Sequence, residues 1–148
     1  PPTDTPMPQV TDTPTPPPET PKPEHQFTGE VLWDPAYSPN CGTVEIGKRS
    51  KIIGLNGEPL DNVRVRIWAD GWEGYLCDPS GPPANPEPGS YNCFIKPYPV
   101  AGTWLVAVHD VDGMPVDSEV ISVSFDTLDC KPGGGGHQVA VVNWKQNW

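Results

Sequence analysis

Long apolar runs are missing from this chain, as are sustained helical repeats, a basic surplus and the paired spacings of metal ligands, and each gap removes a class of protein. No apolar stretch approaches the roughly 20 residues that a helix needs to span a bilayer, so membrane insertion is not expected. No charged-then-apolar leader opens the chain, and the expectation is a soluble mature chain whose signal peptide or anchor is already removed or absent. Nine basic side chains against nineteen acidic ones give a formal net charge of -10. That balance repels phosphate backbones and anionic headgroups, which makes nucleic acid an unexpected partner. No G-x-S-x-G elbow, H-E-x-x-H helix or phosphate loop occurs. The segment 110–113 lacks the later ligands and the twelfth-position Glu of a calcium-binding EF-hand loop. No catalytic residue, no metal, no cofactor and no enzymatic activity are expected.

What is present begins with residues 1–26, PPTDTPMPQVTDTPTPPPETPKPEHQ, which hold ten prolines and six threonines but only two aliphatic side chains, Met7 and Val10. Such a segment cannot bury enough apolar surface to offset its ordering entropy, and proline drives it toward an extended polyproline II path. It reads as an arm or spacer reaching roughly 80 Å when fully extended. Its threonines, Thr3, Thr5, Thr11, Thr13, Thr15 and Thr20, sit beside or near prolines in the manner of stalks that carry O-linked sugars outside the cell. An extracellular, surface-located glycoprotein is the expectation.

Residues 27–148 have the length of one domain with one core. Their apolar pattern has period two, with turn formers about every ten residues. In NVRVRIWA, Val63, Val65 and Ile67 point one way while Arg64, Arg66 and Trp68 point the other. In TWLVAVHD both faces are apolar, as a central strand requires. Strands are predicted near 27–33, 43–53, 62–69, 73–77, 90–96, 103–110, 117–125 and 137–146: seven to eight short strands, an all-β antiparallel sandwich. Asn56-Gly57 and Asp112-Gly113 mark tight turns. Residues 78–89 must form a loop, because their prolines would remove ladder donors from a sheet. Gly133 to Gly136 read as a flexible link before the last strand.

The four cysteines form no C-x-x-C pair and stand outside metal-ligand spacing of His25, His109 and His137, so disulfides are the better reading. Three pairings are formally possible. Cys77 with Cys93 is favoured because both lie beside aromatic strand segments, GYLC and SYNCF, that flank the Pro/Gly-rich loop; Cys41 then pairs with Cys130. Oxidised cysteines again point outside the cytoplasm.

The strings GLNGEPLDNVRVRIW, GSY and PVAGTWLVAVHD together resemble the Ig-like or carboxypeptidase-regulatory-like sandwich domains of bacterial surface proteins. Asn56, Gly57, Pro59 and Leu60 match the turn, Val63, Val65 and Ile67 the following strand, and Pro99, Gly102 and Trp104 the later one. The resemblance covers about residues 43–146 and implies a fold more than a function, since these are turn and core positions. The insertion 78–89, the cysteines and the glycine run depart from the pattern. The Thr-Pro arm is similar to linkers of secreted bacterial proteins.

His109 with Asp110 and Asp112 is the strongest cluster of titratable groups, and its leading reading is a hairpin turn after a strand. Trp68 and Trp72, with Arg64 and Arg66, are the candidate contact surface: an exposed indole beside guanidinium groups can stack on a proline segment, a neighbouring protein or a sugar ring. The function expected is a structural subunit of an extracellular filament or fibre, a homopolymer in which the arm or the strand 27–33 of one copy docks head-to-tail on the next. The alternative is a carbohydrate-binding module on a Thr-Pro spacer.

Overall fold

The computed structural model describes residues 2–9, 11–33, 38–131 and 133–148; Val10 of the arm lies outside them. Eight strands follow in order: β1 (Phe27–Trp33), β2 (Val44–Ile53), β3 (Arg64–Ala69), β4 (Trp72–Leu76), β5 (Ser90–Lys96), β6 (Gly102–His109), β7 (Ile121–Phe125) and β8 (Val139–Gln146). They form two four-stranded sheets, β1-β8-β2-β5 and β4-β3-β6-β7. No helix occurs among the described residues. The chain is an all-β sandwich, as its period-two pattern predicts.

Alternation explains the core. Val65 and Ile67 of β3, Trp104, Val106 and Val108 of β6, and Val123 and Phe125 of β7 turn inward from one sheet. Val44, Ile46 and Ile52 of β2, Tyr91, Cys93 and Ile95 of β5, and Ala140, Val142 and Trp144 of β8 meet them from the other. Burial of these two inner faces is the main stabilising term.

Three features differ from the sequence reading. The sandwich is not wholly antiparallel, because β8 lies between β1 and β2 and runs parallel to β2. That pairing is interrupted between Ile46 and Ile52, and side chains replace the missing ladder bonds: Val142 N donates to Ser50 Oγ (3.0 Å) and Lys51 N donates to Asn143 Oδ1 (3.0 Å). The seventh strand starts at Ile121 rather than near residue 117. The earlier residues cross to the other sheet, where Phe27 N donates to Asp117 O and Glu119 N donates to Phe27 O. Gly133 to Gly136 do not hang as a link but wrap around Asp129: Gly135 N donates to Asp129 Oδ2 and Gly136 N to Asp129 O. A Cβ at Gly134 would stand 2.2 Å from Asp129 O, so only glycine admits this approach.

The two flanks of the sandwich are closed differently. On one, Tyr75 Oη donates to Phe94 O and the Cys77–Cys93 disulfide ties the segment after β4 to β5. On the other, β1 meets the 117–119 segment, with Gly29 N donating to Glu119 Oε2 (3.0 Å). Both devices cover strand edges that would otherwise offer unpaired backbone groups. The second disulfide, Cys41–Cys130, joins the loop before β2 to the loop after β7. Between those loops, fully buried Gln138 accepts from Asn40 N (2.7 Å) and donates to Asp126 O (2.7 Å). Two formed disulfides mark a protein of an oxidising compartment. No helix among the described residues is long and apolar enough to cross a membrane.

Candidate functional site: the arm root and the outer faces

The described residues of the arm are exposed from Pro2 to Glu24, and all six threonines are among them. At its root the arm stops being free. Asn147 N donates to Gln26 O (2.7 Å), Asn147 Nδ2 donates to His25 O (2.8 Å), and Gln26 Nε2 donates to Trp148 O (3.1 Å). Lys22 Nζ stands 4.8 Å from the centre of the Trp148 ring, a cation–π contact. His25 Nδ1 lies 2.9 Å from Asp117 Oδ1. That hydrogen bond raises the imidazole above its ordinary pKa against an opposing effect of burial, and the Asp117, Glu24 and Glu119 charges add to the rise. The residues after β8 and the segment before β7 thus grip the two residues that precede β1, and the arm leaves the sandwich from a fixed point.

The structure divides the four proposed contact residues between two places. Arg64, Arg66 and Trp68 alternate on the outward side of β3, all partly buried. Arg66 lies 6.0 Å over the Trp68 ring and donates through its NH2 group to Glu73 O (2.8 Å), while Arg64 Nε donates to Cys77 O (2.9 Å). The guanidinium groups therefore fasten β4 and the residue after it to β3, and that of Arg66 also lies over the indole. Trp72 is in register with Ala69, one residue beyond Trp68 and so on the opposite side of the sheet. It meets Tyr75 edge to face at 6.2 Å, and both rings are exposed. Burial raises the Tyr75 hydroxyl to about 12, helped by the charges of Asp78 and Glu45.

The titratable clusters are tied into turns and loops by hydrogen bonds. His109 is buried, its Nδ1 3.1 Å from Gly113 O, and Asp110 closes the hairpin by accepting from Met114 N (2.8 Å). Asp126 accepts from the His137 ring (2.8 Å) and from His137 N (3.1 Å). Burial works to raise that carboxyl, but the bonds from His137 and from Leu128 N outweigh it and hold the group below its ordinary value. No group of three or more His, Cys, Asp or Glu side chains suited to a metal ion exists among the described residues.

One face is absent from the sequence reading. On the outward side of the β1-β8-β2-β5 sheet, Thr28, Lys145 and Ile53 lie abreast across β1, β8 and β2. A depression of about 490 Å³ there is lined by these residues with Glu30, Arg49 and Lys51. Two neighbouring depressions share Lys51; one adds Pro59 and Pro88, the other Lys48 and Pro86. The signal available was the run KRSK at 48–51, four residues with three cations in an acidic chain.

Comparison with protein-family models, curated proteins and solved structures finds no match to this chain.

Proposed function

We propose that this chain is a structural subunit of an extracellular filament or fibre, an Ig-like sandwich that assembles head-to-tail through its N-terminal segment and carries O-linked sugars on the arm. The observation that carries this reading is the combination of an exposed Thr/Pro arm with a gripped root at His25 and Gln26. A mere spacer needs no fixed exit, whereas a tether to a neighbour gains from one, because a stiff arm with a defined direction loses less entropy on docking. Since β1 pairs along its length with β8 of its own chain, the free connector is the arm rather than the strand. An arm reaching a different surface on the next copy makes a heterologous contact, which propagates unless it closes a ring. Exposure of all six threonines favours modification by sugars, which would also stiffen the arm.

Electron microscopy and sedimentation of the full chain beside a variant lacking residues 1–24 test the proposal. Polymers from the full chain and monomers of unchanged melting temperature from the variant are expected. Absence of polymers from the full chain overturns it. Intact mass tests the sugars separately, and a mass equal to that of the bare polypeptide removes them from the reading.

The exposed Trp72–Tyr75 pair supports a second reading, a carbohydrate-binding module, because sugar rings stack on such surfaces. In that case deletion of the arm leaves glycan binding intact and Trp72→Ala abolishes it.

A further inference from the structure

Positive charge in this acidic chain collects on the outward face of the β1-β8-β2-β5 sheet. Lys48, Arg49, Lys51 and Lys145 line its depressions, half of the eight Lys and Arg residues in 27–148. Two carboxylates, Glu30 and Glu87, line them too. Glu87 stands 3.7 Å from Lys51 in an exposed pair, which solvent renders weak and easily exchanged. Between the charges, Ile53, Pro59, Pro86 and Pro88 supply apolar surface.

The arm has the complementary make-up. It holds Asp4, Asp12, Glu19 and Glu24 against the single cation Lys22, and its prolines offer flat rings every few residues. Roughly seven polyproline II residues, at about 3.1 Å each, cross a four-stranded face. The spacings from Asp4 to Asp12 and from Asp12 to Glu19 are of that order. The chain's own arm does not fill the face, since its described residues stay exposed through Glu24.

We infer that this face is the seat for the arm of a second copy, its lysines meeting the arm's carboxylates and its prolines and Ile53 meeting the arm's prolines. The inference rests on the fibre reading above and names the receiving surface. Charge exchange in the full chain tests it by sedimentation velocity. Reversing the face with Lys48→Glu, Lys51→Glu and Lys145→Glu is expected to raise the concentration needed for assembly at least about tenfold. Reversing the arm with Asp4→Lys, Asp12→Lys and Glu19→Lys is expected to do the same. Combining both sets in one chain is expected to restore assembly, which also shows that the altered face still folds. Assembly that survives reversal of the face but is lost on reversal of the arm overturns this seat while leaving the fibre reading in place. A wild-type chain that never assembles overturns both.

Discussion

Trp144 and Tyr91 meet in the centre of the sandwich, the indole Nε1–H donating to the phenol oxygen at 3.0 Å. Tyr91 in turn donates to Val142 O at 2.7 Å, so one hydroxyl satisfies a strand carbonyl and a buried indole at once. Both side chains are almost wholly buried, and burial pushes the phenol pKa up. Neighbouring Ser50 completes the chain of bonds by accepting from Val142 N.

Tyr91→Phe keeps the ring but removes that hydroxyl, leaving the Trp144 N–H and one carbonyl without their partner. A loss of about 1–3 kcal/mol of stability is expected, read as a lower denaturation midpoint with unchanged slope. Trp144→Phe in the same background is expected to cost less than it does alone, because the two share one bond.

The disulfides differ in the loops they close, with sequence separations of 89 for Cys41–Cys130 and 16 for Cys77–Cys93. The loop-entropy relation gives about 4.6 kcal/mol for the first and about 3 kcal/mol for the second. Replacing Cys41 and Cys130 with serine is therefore expected to lower the denaturation midpoint more than replacing Cys77 and Cys93. A reversed order would mean that native contacts, such as Tyr75 to Phe94 O beside the short bridge, outweigh chain entropy. Peptide mapping without reductant checks the pairing itself.

Strand content was legible because side-chain alternation survives in the text: Val65 and Ile67 face the core and Arg64, Arg66 and Trp68 do not. The cysteine pairing was legible from flanking strands and one proline-rich loop. What was not legible depends on contacts between distant residues. Asp117 lies 92 residues from His25, and nothing local in either segment announces the grip at the arm root or the shortening of β7. The parallel pairing of β8 with β2 is likewise hidden, since alternation reports a face and not a direction. Trp68 and Trp72 look like one site in the sequence, yet the register with Ala69 sends them to opposite sides of the sheet.

The root of the arm is expected to respond to pH. The folded His25 pKa is raised by Asp117, so the charged pair is fully present below the ordinary imidazole value and is lost as pH rises through the folded one. The arm root should therefore be better held at about pH 5.5 than at about pH 8. Amide exchange at Phe27 and Asn147, whose N–H groups donate to Asp117 O and Gln26 O, checks this: their protection relative to the core should fall with rising pH, and Asp117→Asn should flatten the change. Equal pH dependence in wild type and variant would remove His25 from the role.

Two glycines with the same left-handed backbone separate conformational strain from steric collision. Gly57 has φ +81° in the turn after β2, and a Cβ there would meet nothing within 4 Å. Gly74 has φ +72° within β4, and a Cβ there would fall 1.6 Å from Ile67 O, on the strand it pairs with. Gly57→Ala therefore carries only the left-handed penalty of about 1–2 kcal/mol. Gly74→Ala carries that penalty and also forces β4 away from β3, which pulls on the Arg66 bond to Glu73 O and on Tyr75 at the flank. A loss above about 3 kcal/mol is expected for Gly74→Ala, with the Tyr75 hydroxyl titrating closer to its ordinary value than the 12 or so that burial gives it. Absorbance at 295 nm during an alkaline titration reads the second effect. A Gly74→Ala protein that is no less stable than Gly57→Ala would show that β3 and β4 do not pack as closely as described.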